Sequence, residues 1–196
     1  MTERIERQVA FLAEVDRLKG VLRQTTLIDG SRRENSAEHS WQVALAAAVL
    51  AEHAPPGTDV PHAVRMALVH DIVEIDADDT FAYDAAANVG KEEREQRAAE
   101  RIFGLLPADQ AAEVRALWDE FEAGETPAAR FAVALDRILP LVVNFHGGGG
   151  TWKLHGITRA QVQRRMAPIR EGAPGVWPWV ERMIEAACER GYVRRE

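Results

Sequence analysis

Cysteine is almost missing from this 196-residue chain: Cys188 is the only one. No internal disulfide is available, and a reducing setting is expected. Long apolar runs are missing too. The longest, 43–51, falls far short of the ~20 residues that span a bilayer. The opening Met1-Thr2-Glu3-Arg4-Ile5-Glu6-Arg7-Gln8 lacks the apolar core of a secretory signal, so a cytoplasmic protein with no membrane partner is expected. An excess of positive charge is likewise absent. The net charge is -7, which argues against sequence-independent binding to duplex nucleic acid, where many Lys and Arg must replace phosphate counterions. A small anionic substrate stays compatible, because a local cluster of arginines and a metal can outweigh the global charge at one cleft.

What is present is ordinary for a folded domain: 46% hydrophobic and 28% charged residues. Apolar positions recur at helical spacing over 3–22 (Ile5, Val9, Leu12, Val15, Leu18, Leu22). The polar stretch 25–35 has turn chemistry, with Asp29-Gly30-Ser31 followed by Arg32-Arg33-Glu34-Asn35. Asn35 or Ser36 can cap a helix running to about His53, with Glu38 completing a capping box. Pro61 suits the first turn of a mostly apolar, hence buried, helix through Glu74. Further helices are expected over 91–103, 109–121, 127–144, 158–170 and 177–190, with a flexible break at Gly147–Gly150. No segment alternates with period two and no repeat appears. The expected fold is all-α: one domain over 1–196, with its functional core at about 15–140 and C-terminal helices at 158–190.

Chemistry concentrates in the apolar helices. His70, Asp71 and Glu74 lie within one turn of each other. Burying such groups without partners costs several kcal/mol each. A divalent cation would compensate, since imidazole and carboxylate are its natural ligands; a His-Asp-Glu hydrogen-bond network balanced by arginines would also serve. His39 shares a helix face with Val43, Ala46 and Leu50, and Asp136 interrupts the apolar run Phe131-Ala132-Val133-Ala134-Leu135. Pro140 cannot bond the Asp136 carbonyl, so a kink is expected there. Asp76, Asp78 and Asp79 lack the glycine and distal glutamate of a calcium loop. His53, His62, His146 and His155 read as surface or loop residues, and Trp152, Trp177 and Trp179 as packing residues.

The order His39, His70-Asp71, Asp136 resembles the H…HD…D signature of HD-domain metal-dependent phosphohydrolases. Glu34-Asn35-Ser36-Ala37-Glu38-His39-Ser40, His70-Asp71-Ile72-Val73-Glu74 and Asp79 are similar to the 5'-deoxynucleotidase subfamily. The resemblance implies an all-helical fold, a homodimer, and hydrolysis of a phosphomonoester such as a nucleoside 5'-monophosphate. It implies one divalent metal (Mn, Co, Zn, Ni or Fe) on His39, His70, Asp71 and Asp136. Glu74 and Asp79 would handle the attacking water or the leaving group, and Arg23 the phosphate, with Arg32 and Arg33 able to add to that patch. Gln24 stands where the subfamily carries Trp near the sugar, which implies weak discrimination between ribose and deoxyribose. Other readings of the same fold are a phosphodiesterase or pyrophosphohydrolase on another nucleotide, or a non-catalytic nucleotide-binding module. A di-iron oxygenase would need further histidines between His39 and Asp136, where only His53, His62 and His70 occur.

Overall fold

The computed structural model describes residues 2–84 and 86–196. Helix α1 spans Thr2–Val15 and gives way to a 3-10 turn at Asp16–Gly20, earlier than the spacing over 3–22 suggests. Gly20 is a poor residue for a helix interior, and the chain leaves it extended. Strand β1 (Leu22–Thr26) then pairs antiparallel with β2 (Arg33–Asn35), with Leu22 opposite Asn35 and Thr26 opposite Arg33. This hairpin replaces the expected polar loop. It escapes a period-two search because its inward side chains, Arg23 and Thr25, are polar. The Leu27 amide donates to the Arg32 carbonyl at 2.9 Å, Asp29 accepts from the Ser31 amide at 2.9 Å, and Gly30 supplies the positive φ of the turn.

Helix α2 (Ser36–Val49) opens on the expected capping box: the Asn35 side chain accepts from the Glu38 amide and Glu38 reaches back to the Asn35 amide. A 3-10 turn follows at Ala51–His53. Helix α3 (Val60–Val69) is capped by Asp59 and carries Pro61 in its first turn. It stops at Val69 instead of continuing to Glu74. The bonds from the Ile72 amide to the Val69 carbonyl (3.1 Å) and from Glu74 to Asp71 (3.0 Å) are tight three-residue turns, and α4 resumes only over Glu74–Ala77.

Helices α5 (Lys91–Phe103), α6 (Ala108–Ala123) and α7 (Pro127–His146) follow. Helix α7 runs through Pro140 as one element. At Gly148–Gly150 positive φ angles turn the chain into α8 (Gly150–Leu154), and the Gly149 amide bonds the Asn144 carbonyl at 2.8 Å. Helices α9 (Arg159–Met166), α10 (Ile169–Gly172) and α11 (Trp177–Glu189) complete the chain. At Gly172, α10 lies so close to α7 that an added Cβ would stand 2.0 Å from the Arg130 carbonyl oxygen.

Two apolar clusters hold these helices together. One is built around Val43, Met66, Phe131, Leu135 and Leu141, the other around Leu18, Ile72, Ile102, Phe103 and Trp118. Helix α3 feeds the first, and the turn after it feeds the second through Ile72 and Val73. His70 and Asp71 therefore stand where the two clusters meet. No helix among the described residues is long and apolar enough to cross a membrane.

Candidate metal centre and adjoining cavity

His39 projects from the first turn-and-a-half of α2, His70 caps α3, and Asp136 comes from the middle of α7. All three are buried, and one ligand atom from each lies within 4.8 Å of the others. His39 Nε2 is 2.8 Å from Asp136 Oδ1. The His70 Nδ1–H donates to the Ala67 carbonyl at 2.8 Å, which turns Nε2 toward the carboxylates. There it stands 3.1 Å from Asp71 Oδ1 and 4.0 Å from Asp136 Oδ1. Buried His70 Nε2 and His39 Nδ1 have no hydrogen-bond partner. Orphaned buried ring nitrogens facing carboxylate oxygens are what a cation site shows before the cation is added, and two imidazoles with carboxylates suit a divalent transition ion. Asp71 stands beside the trio, its Oδ2 accepting from Arg23 Nη1 at 3.0 Å.

The electrostatics fit that donor set. Burial, reinforced by the Arg23 charge, pushes the His39 imidazole down to about 4, so it is neutral and able to coordinate. Burial opposes the Asp136 charge, but Arg137 and His39 hold the carboxyl well below its ordinary value. Glu74 is the opposite case: burial, then the neighbouring Asp71 charge, push it well above the usual carboxylate range. Ser36 Oγ donates to Glu74 Oε2 at 2.5 Å and fixes the carboxyl. Burial also raises Asp79. It follows Asp78, the only non-glycine residue with positive φ among the described residues, a strained backbone of the kind that aims a side chain.

Arg23 joins this set from β1. Its guanidinium lies 3.0 Å from Asp71, 3.3 Å from Glu34 and 3.5 Å from Asp79. Burial works against its charge, and Asp71 and Asp79 outweigh it. Glu34, which the sequence places in the motif without a role, has Oε2 3.7 Å from the orphaned His39 Nδ1. Burial pushes Glu34 up to about 7, against the pull of Arg23.

A cavity adjoins the centre. Arg23, Gln24, Asp79, Tyr83, Arg137 and Trp152 are among its lining residues. Because Arg137 bonds Asp136 and Arg23 bonds Asp71 beside it, its walls stand one hydrogen bond from the trio and its neighbouring carboxylate. Arg32 and Arg33 are not brought here. Arg32 pairs with Glu38 on the surface, and Arg33 donates to the backbone carbonyls of Leu22 and Arg23, bracing the hairpin. Trp152 lines the cavity besides packing. His62 bonds Glu120 at 2.7 Å, and His155 packs at a tilt against Phe81 in the cavity wall; neither joins the trio. Arg137 and Arg165, also in the cavity wall, escaped the sequence reading. Arg137 had a signal in its place next to Asp136; Arg165 had none.

Known proteins match this architecture. A family model described as "HD domain" matches residues 15–177. The human protein named 5'-deoxynucleotidase HDDC2 is 32% identical over 128 residues, 65% of this chain and 61% of the human one, so the match spans less than two thirds of that relative. A fission yeast protein (Schizosaccharomyces pombe) named 5'-deoxynucleotidase hdd1 is 28% identical over 66% of each chain. A crystal structure from Magnetospirillum magnetotacticum MS-1, described as a predicted metal-dependent phosphohydrolase, superposes with a TM-score of 0.94 at 52% identity, covering 97% of this chain and 96% of that one. The helices that carry His39, His70 and Asp136 all lie within the matched residues, and the chain belongs to the HD domain family.

Proposed function

We propose that this protein is a metal-dependent phosphohydrolase that cleaves nucleoside 5'-monophosphates to nucleoside and phosphate. The observation that carries the reading is the buried His39, His70 and Asp136 trio with orphaned ring nitrogens beside an arginine-lined cavity. The names of the relatives support the substrate class, and the structural neighbour supports the reaction class.

His39, His70 and Asp136 would hold one divalent ion, with Asp71 completing the set; its identity is set by geometry and supply. Such an ion, when bound, acidifies water and screens phosphate charge. The protein does the rest. Arg23 holds Asp71 and Asp79 in place from one side, and Glu34 faces the outer nitrogen of His39, the position from which a carboxylate orients a ligating imidazole. Glu74, buried and fixed by Ser36, would be the proton carrier, its ionised form being favoured by the charge of a bound cation: as the oxygen of water bonds to phosphorus and the P–O5' bond breaks, it takes the water's proton. Asp79, on the cavity wall, is placed to return a proton to the leaving oxygen. Gln24, standing where the subfamily carries Trp, also lines the cavity, so AMP and dAMP should be cleaved with similar specificity constants.

Exposed apolar residues on α2 (Trp41, Leu45, Val49) support a homodimer, and the single buried cysteine supports a cytoplasmic setting. The test is phosphate release from AMP, dAMP and bis(p-nitrophenyl) phosphate by metal-loaded wild type and Glu74→Gln. The wild type should cleave the monoesters, and Glu74→Gln should keep its metal while kcat falls by ~10^2 to 10^4. Cleavage of the diester alone would replace this reading with a phosphodiesterase.

A further inference from the structure

Charge in the cavity wall is unevenly committed. Arg23 is tied to Glu34, Asp71 and Asp79, and Arg137 gives Nη1 to Asp136. Arg165, on α9, forms no ion pair with any carboxylate among the described residues. Yet it is not a free surface group. It lines the inner cavity with Arg23, Asp79 and Trp152, and also an outer cleft with Gln161 and Pro168. Tyr83 and Arg137 line both as well, so these three side chains frame the passage from solvent to the candidate metal centre.

A desolvated cation beside another cation is costly unless an anion joins them. Burial, then the Arg137 charge, push the Arg165 guanidinium down to about 10, which leaves it charged at neutral pH. Of the three arginines in the cavity wall, Arg165 alone is held without a paired carboxylate among the described residues. Arg137 is one hydrogen bond from Asp136, so an anion seated between Arg137 and Arg165 abuts the centre. The planar guanidinium fork suits phosphate oxygens, which it can bind in pairs.

We infer that Arg165, together with Arg137, is the receptor for the phosphate group of the substrate, while Arg23 mainly organises carboxylates. This rests on the proposed phosphohydrolase reading, and the test separates the two. Metal-loaded wild type, Arg165→Ala, Arg165→Lys and, as a control at an exposed position of α11 outside both cavities, Arg182→Ala are compared for affinity of inorganic phosphate by calorimetry, KM and kcat for AMP, metal content and Tm. Arg165→Ala should weaken phosphate affinity and raise KM by about 10- to 100-fold with metal content unchanged. Arg165→Lys should recover part of the loss, and Arg182→Ala should match wild type. The inference is overturned if Arg165→Ala binds phosphate as wild type does, or if phosphate and metal are lost together in both Arg165 variants. If AMP is not cleaved but phosphate binding depends on Arg165, the functional reading fails and the receptor stands. If AMP is cleaved with an unchanged KM in Arg165→Ala, the receptor fails and the functional reading stands.

Discussion

Glu34 shows how the centre balances individual charges. Burial, opposed by Arg23, raises its carboxyl to about 7 against an ordinary value near 4.5, so the folded chain binds its proton more tightly than the unfolded one does. A raised pKa contributes stability that is complete below the unfolded value and is lost as pH rises through the folded one. For metal-free protein the loss runs from about pH 4.5 to 7 and amounts to on the order of 3 kcal/mol. Glu34→Gln cannot lose a proton, and Arg23 keeps Asp71 and Asp79 as partners. After chelation, the Tm advantage of Glu34→Gln over wild type should therefore be larger at pH 8 than at pH 5. An advantage that shrinks with rising pH would show that Glu34 is ionised at little cost.

Single residues were unequally legible. His39, His70 and Asp136 could be read from the chain because each interrupts an apolar helix, where an ionisable group demands a partner. Arg165 sits in the polar run Gln161-Val162-Gln163-Arg164-Arg165, and only the packing of α9 beside α7 reveals that one of two adjacent arginines reaches the inner cavity while the other lines only the outer cleft. Arg32 and Arg33 show the reverse: a basic dipeptide near the motif suggests a phosphate patch, whereas in the fold Arg32 pairs with Glu38 and Arg33 donates to the hairpin backbone.

At the level of elements, caps and prolines marked helix starts well, as at Asn35 and Asp59, because capping is local chemistry. The hairpin was hidden because its buried positions are polar. The stop at Val69 was hidden because the apolar pattern runs on through a turn that the second cluster buries. One close inter-element approach is equally invisible in sequence. Gly172 brings α10 against the Arg130 carbonyl of α7 with no room for a methyl group. Gly172→Ala should therefore cost about 1–3 kcal/mol or more through a forced backbone shift, read as a lower urea midpoint with an unchanged m-value. A neutral Gly172→Ala would mean that the short helix can move away from α7 freely.

Across the whole molecule, two apolar clusters enclose a layer of charge. Ion pairs on the outside, such as Arg101 with Glu14 and Asp76 or Arg4 with Asp109, are solvent-exposed and contribute little each. The interior layer of His39, His70, Asp71, Glu74 and Asp136 is the expensive part of the fold, and a bound cation repays it by mass action, about 2.7 kcal/mol when the ion is at 100 times its Kd. Folding and function thus meet at one centre. The most direct test is metal content and phosphate release from AMP, measured on the same preparations of wild type and His70→Ala with folding checked by circular dichroism. Wild type should carry one divalent ion per chain, lose ion and turnover together on chelation, and regain both on metal addition, while folded His70→Ala should show neither. Folded His70→Ala with full metal and turnover, or chelated wild type with undiminished turnover, would contradict the account.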